Sequence, residues 1–137
     1  MLVVVAACGA GCGGVTEPGT AGVPVTGAWR YTARQSAPAV ADLAGTLQFS
    51  TQRGAGIAGA LDVVETDARG VQRRIAGPLA GRTVDSTTVD FDLSVSGATR
   101  RHVGMVRGDS LTGTWFEQSS DGGAPTASGS FRAARTP

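Results

Sequence analysis

From Val25 onward, apolar and polar residues alternate with a period of two rather than 3.6, the spacing of half-buried strands and not of helices. In the first stretch Val25, Gly27, Trp29, Tyr31 and Ala33 share one face, and Thr26, Arg30, Thr32 and Arg34 the other. "GTLQFSTQ" aligns Leu47 and Phe49, and "IAGALDVVE" aligns Ile57, Gly59, Leu61 and Val63, with Glu65 at the same parity. "VQRRIAGPL" aligns Val71, Ile75 and Leu79, with Arg73 as the odd member. "TVDFDLSV" alternates most cleanly: Val89, Phe91, Leu93 and Val95 oppose Asp90, Asp92 and Ser94. "RRHVGMVR" fits either phase, because Val103 and Met105 share one parity and His102, Gly104 and Val106 the other. "SLTGTWFEQ" aligns Leu111, Gly113 and Trp115, and "SGSFRAAR" aligns Gly129, Phe131, Ala133 and Arg135.

Turn-forming clusters separate these runs: "RGAG", "DARG", "GD" at 108–109, a loop over 35–42 carrying Pro38, and another over 118–127 containing "SSDGGAPT". Eight short strands without a helical pattern predict an all-β fold, an eight-stranded antiparallel up-and-down (meander) β-barrel occupying residues 25–137. The aromatic side chains Trp29, Tyr31, Phe49, Phe91, Trp115 and Phe131 fall at the apolar parity, whereas Phe116 does not. An apolar residue, a glycine and a second apolar residue also recur at that parity, in "VTGAW", "LAGTL", "IAGAL", "IAGPL", "LTGTW" and "ASGSF". A glycine there relieves crowding in a tapering barrel and lets the strand bend as the sheet closes.

Gly27-Ala28-Trp29 on the first strand resembles the Gly-x-Trp signature of lipocalins, and "LTGTW" and "VTGAW" resemble strand openings of avidin and streptavidin. The resemblance implies a calycin-like barrel with a ligand cavity at one mouth. It further implies closure of the base by Gly27 and Trp29, with Arg135 of the last strand packed over the indole. An avidin-type biotin site also needs a polar set that is not assigned here, so the resemblance does not extend to biotin.

The amino terminus carries a different signal. Val5-Ala6-Ala7-Cys8 resembles the bacterial lipobox, in which a branched apolar residue and two small ones precede the cysteine to be acylated. Residues 1–24 therefore read as a lipoprotein signal with Cys8 as the lipidation site, followed by a flexible glycine-rich tether. The segment before Cys8 is shorter than a complete signal peptide and lacks its basic region, so it reads as truncated. Cys12 fits the pattern less well, since Gly9 stands three residues before it. The expected address is the bacterial cell envelope, outer membrane or periplasm, or else the secreted medium, with the membrane reached only through the acyl group.

Composition narrows the chemistry. All twelve basic residues are arginine, and the formal net charge is +1, which as an overall balance predicts no nucleic-acid partner. No cysteine follows residue 12 and His102 is the only histidine, so the sequence predicts no thiolate or histidine metal site, no catalytic triad and no cofactor. Asp90 and Asp92 share the polar face of their strand and read as solvent-facing rather than as a catalytic pair. The expected function is non-enzymatic: a lipid-anchored barrel binding a small, largely apolar molecule, lined by Trp29, Tyr31, Phe49, Phe91 and Trp115. The alternative is an interaction module with a solid core, displaying the loops at 35–42 and 118–127. Convergence of Glu65, Arg73 and other charged groups inside the barrel would point instead to an enzyme.

Overall fold

A computed structural model of the chain describes residues 23–95, 97–119 and 123–137. The lipobox with Cys8, Cys12, most of the tether and part of the 118–127 loop lie outside the described residues. Eight strands follow one another: β1 (Gly27–Ala37), β2 (Ala41–Arg53), β3 (Gly56–Asp67), β4 (Gln72–Thr83), β5 (Thr88–Val95), β6 (Ala98–Arg107), β7 (Ser110–Ser119) and β8 (Ala127–Arg135). Each pairs antiparallel with the next, and β8 pairs back onto β1, so the sheet closes into an up-and-down barrel. Odd-numbered strands start at one end, termed lower, and even-numbered strands start at the upper end.

Closure removes the exposed edges that a flat sheet would present. It also collects the apolar parity of every strand into one interior, where Trp29, Leu47, Phe49, Val89, Leu93 and Leu111 are fully buried. Removing a large apolar side chain from water contributes about 1.5–3 kcal/mol, and this shared interior is where the chain gains most of its stability. β6 takes the phase that places His102, Gly104 and Val106 inside, with Val103 and Met105 exposed. The partners decide it: Phe91 and Trp115 stand opposite His102 and already face inward.

The recurrent glycines act through the backbone. A methyl group at Gly113 would overlap the carbonyl oxygen of Val103 on β6, so β7 presses against its neighbour there more closely than any side chain allows. The close approach lets the strand bend without breaking the ladder, and bending is what a barrel this small requires. Gly27 differs: its φ of 122° lies where a side chain is strained, and it turns the chain from the base into β1.

Two irregularities set the ends. A β-bulge between Phe49 and Thr51 reverses the parity of β2, so that Gln52 rather than Thr51 turns toward the lower opening. At the upper end β5 is short, and the pairing of β4 with β5 ends at Leu79↔Leu93. Gly77 still lies against Ser94, but the part of β4 above it outruns the end of β5 and leaves a notch in the wall. Val71, expected inside, lies before the start of β4 and is 58% exposed, because it closes the β3–β4 turn against Asp67 at the upper rim, beyond the end of β5.

Candidate functional site

The two ends of the barrel are built differently. Across the lower end, the segment preceding β1 is stitched into place by side chains of the last and second strands. Trp29 Nε1 donates to the carbonyl of Val25 at 2.9 Å, and Val25 is itself fully buried. Gln52 brackets the same segment, accepting from the Val25 amide and donating to the Val23 carbonyl, both at 3.0 Å. Arg135 lies over the Trp29 ring, 4.4 Å from its centroid, and donates to the carbonyls of Thr26 and Pro24 while pairing with Asp109. A cation over an indole face contributes on the order of 0.5–2 kcal/mol. Together these contacts fill the lower opening.

Above this plug the centre of the barrel is packed with rings. Phe91 stacks on His102 with centroids 4.7 Å apart, Tyr31 stacks on Phe131 at 5.7 Å, and Phe49 meets Phe91 edge-on at 5.4 Å. Trp115 lies parallel to His102 at 6.4 Å. Of the residues expected to line a ligand cavity, Tyr31, Phe49, Phe91 and Trp115 are thus brought together, but against one another. Trp29 belongs to the base.

His102 is the polar centre of this cluster. Its Nδ1 contacts the carbonyl of Arg100 at 3.2 Å, and because a carbonyl only accepts, Nδ1 carries the proton. Nε2 is then the acceptor for the Tyr31 hydroxyl at 2.9 Å. Burial lowers the His102 pKa from 6.5 to about 4 and pushes the Tyr31 hydroxyl above the usual phenol range, so both stay neutral at pH 7. The consequence for stability has a definite sign. Between pH 6.5 and about 4 the unfolded chain takes up a proton at His102 that the folded barrel refuses, so stability falls as the pH drops. The loss should reach about 3 kcal/mol at the acid end of that window. Urea titrations at neutral pH and near pH 4 measure it directly. His102→Gln should flatten the dependence, and an unchanged slope in that variant would assign it to other groups.

The upper end opens where β4 leaves β5. A depression of about 220 Å³ lies there, lined by Arg73, Ile75, Val95, Ala98, Arg100 and Glu117 among others. None of the five aromatic residues expected to hold a ligand lines it. Its floor is an ionic crown. Arg100, inward on β6 and 4% exposed at its side chain, donates from Nε to Glu117 Oε1 at 2.6 Å and reaches toward Glu65 Oε2 at 3.6 Å. Glu65 also pairs with Arg73 at 3.0 Å. Beneath, the Arg100 guanidinium sits 4.7 Å from the centroid of the Trp115 ring. Glu65 Oε2 and Trp115 Nε1 are buried without hydrogen-bond partners among the described residues, so the crown is not fully satisfied internally.

Several sequence expectations resolve at this crown. Charged groups do converge here inside the barrel, the arrangement that the sequence reading tied to an enzyme, with Glu65 and Glu117 both ion-paired with arginine. Glu65 does face inward, whereas the Arg73 side chain is 66% exposed and leans over the rim to reach it. Arg100 and Glu117 were not singled out in the sequence. Glu117 continues the inward parity of Trp115, and Arg100 that of His102, so their position follows once the phase of β6 is known. Asp90 and Asp92 face outward, where Arg101 approaches them at 2.6 and 3.8 Å. Among the described residues no group of three or more histidine, cysteine or acidic side chains is placed to hold a metal.

In three dimensions the chain is similar to the structure of EF1p2_mFAP2b bound to DFHBI, with a TM-score of 0.64 and 13% identity over 81% of this chain and 93% of that one. The likeness is one of fold: a closed eight-stranded up-and-down β-barrel. A de novo designed fluorescence-activating β-barrel aligns with a TM-score of 0.58 and 20% identity over 82% of this chain and 94% of its own. The redesigned barrel mFAP1 bound to DFHBI gives 0.58 and 16% over 80% and 94%. No protein-family model matches the chain, and no curated protein matches it.

Proposed function

We propose that the chain is a non-enzymatic small-molecule-binding barrel, tethered to a bacterial envelope through an acylated Cys8, that takes a small, largely apolar molecule into its upper mouth. The observation that carries this reading is the asymmetry of the ends. The lower end is plugged by Val23–Thr26, Gln52 and Arg135, while the upper end opens on a depression of about 220 Å³. Ile75, Val95 and Ala98 give that depression an apolar wall, and the Arg100–Glu117 pair gives it a polar floor that would orient one end of the guest. The volume lies below the range of about 300–1,000 Å³ common for drug-sized ligands, so the guest is small or only partly enclosed. That EF1p2_mFAP2b and mFAP1 are bound to DFHBI supports the reading, as does the calycin-like pattern of the strands.

The packed aromatic centre favours a second reading, an interaction module with a solid core that acts through its upper loops. One experiment separates the two. Native mass spectrometry of the protein taken from its own envelope should record both a diacylglyceryl adduct at Cys8 and a retained small molecule. Ala98→Trp, which fills the mouth from its wall, should keep the fold by circular dichroism and lose the retained molecule. Retention by that variant, or a ligand-free native protein, sinks the binding reading. An unacylated product sinks the tether.

A further inference from the structure

We propose that the lower rim of the barrel is a basic face that rests on an anionic lipid surface, which points the mouth away from the membrane. The net charge of +1 conceals a strong segregation. Arg53, Arg82 and Arg107 stand at the lower ends of β2, β4 and β6, and Arg30 and Arg132 lie on the lower halves of β1 and β8. All five are exposed, and none makes a side-chain hydrogen bond or ion pair among the described residues. The carboxylates near that end offset them only in part. Asp109 pairs with Arg135 and Asp90 with Arg101, which leaves Asp85, still charged and held by the backbone amides of Thr87 and Thr88, against five free arginines.

The upper end is balanced instead. Arg34 pairs with Asp42, Arg69 with Asp67, Arg73 with Glu65, Arg74 with Asp62 and Arg100 with Glu117. The barrel therefore carries its uncompensated positive charge at one end. That end is also where the chain enters the barrel, since Val23 and Pro24 are held there by Gln52 and Arg135. A tether from Cys8 would therefore join the barrel beside the basic rim. Clusters of four to eight cationic side chains next to a membrane anchor bind anionic headgroups, and an acyl chain combined with such a cluster holds a protein on a bilayer more firmly than either alone. A soluble polyanion would meet the same charges, but the coincidence of the rim with the chain's entry favours a lipid surface. The choice of a lipid surface over a soluble polyanion rests on the tether reading; the basic face itself does not.

The test uses the full chain with Cys8→Ser and Cys12→Ser, so that no acyl group contributes, and sedimentation with vesicles. Residues 1–22 contain no arginine, so any salt-sensitive binding reports the barrel. Vesicles of equal parts phosphatidylglycerol and phosphatidylcholine should capture the protein, pure phosphatidylcholine should not, and added salt should release it. Replacing Arg53, Arg82 and Arg107 together by glutamine should weaken capture by at least about tenfold. Replacing Arg69 and Arg74 at the upper rim should leave it unchanged, with folding of both variants checked by circular dichroism. Equal capture by neutral vesicles or equal loss in the upper-rim variant overturns the basic face, and binding to soluble polyphosphate without binding to vesicles overturns the lipid surface as its partner. A wild-type protein that binds anionic vesicles but is unacylated in its source keeps the basic face and loses the tether.

Discussion

Replacing Gly113 by valine is expected to unfold the barrel or to cost it more than about 3 kcal/mol, well above the usual effect of a single substitution. The reason is local and steric. A β-carbon on Gly113 meets the Val103 carbonyl and the α-carbon of Gly104, which are backbone atoms of the paired strand and cannot swing away like the tip of a side chain. Relief requires β6 and β7 to separate, and the ladder from Ala98↔Ser119 to Arg107↔Ser110 holds them together. Gly108 provides the comparison. It sits in the β6–β7 hairpin with φ 60° and open space around its α-carbon, so alanine there meets only the left-handed penalty of about 1–2 kcal/mol. Urea unfolding followed by tryptophan fluorescence separates the two cases. If Gly113→Val loses no more stability than Gly108→Ala, the repeated glycines do not close the barrel and reflect composition alone.

That contrast marks how much of this molecule was legible in its sequence. The period-two pattern was enough for the strands and for a closed meander, because a half-buried strand must alternate and seven short connections leave little choice of topology. It failed where both parities were apolar. His102, Gly104 and Val106 alternate with Val103 and Met105, so β6 had no readable phase, and Arg100 at the heart of the mouth was missed with it. It failed again at Gln52, whose inward turn depends on a bulge that no local propensity announces. Val71 was misread because a run of matching parity says nothing about where the neighbouring strand ends.

The site was less legible than the fold for a related reason. Sequence parity identifies which side chains point inward, but not how much room remains among them. Tyr31, Phe49, Phe91 and Trp115 were correctly directed at one interior, yet the distances between their rings leave them as each other's neighbours. The opening was decided instead by the length of β5 relative to β4, a property of pairing. Charge segregation was hidden in the same way. Summed along the chain the arginines nearly balance the acids, and only the direction of each strand assigns "QR" at the end of β2 and "VR" at the end of β6 to the same rim.

Arg100→Met is expected to be the most damaging change at the mouth, costing about 3–5 kcal/mol at neutral pH. The arginine side chain is almost fully enclosed and is the counterion that Glu117 and Glu65 share, at 2.6 and 3.6 Å. Methionine keeps much of the packing against Trp115 but leaves Glu117 without its counterion and Glu65 with Arg73 alone, in a confined space where their side chains are only 21% and 12% exposed. The loss therefore measures the stranded negative charge more than a missing contact. Removing that charge as well should recover most of the stability, since a buried ionic cluster exchanged for apolar groups of similar size is often neutral or better. The combination Arg100→Met, Glu117→Leu and Glu65→Gln should accordingly be more stable than Arg100→Met alone by about 2 kcal/mol or more, a non-additivity expected only for residues in one network. Arg73 would also lose its partner in that variant, but at 66% exposure its charge is solvated and should cost less than about 1 kcal/mol. A triple variant no more stable than Arg100→Met would mean that Arg100 holds the barrel by packing over Trp115 and not by charge. In that case the polar floor assigned to the mouth would have no energetic basis, and the guest would be oriented by the apolar wall of Ile75, Val95 and Ala98.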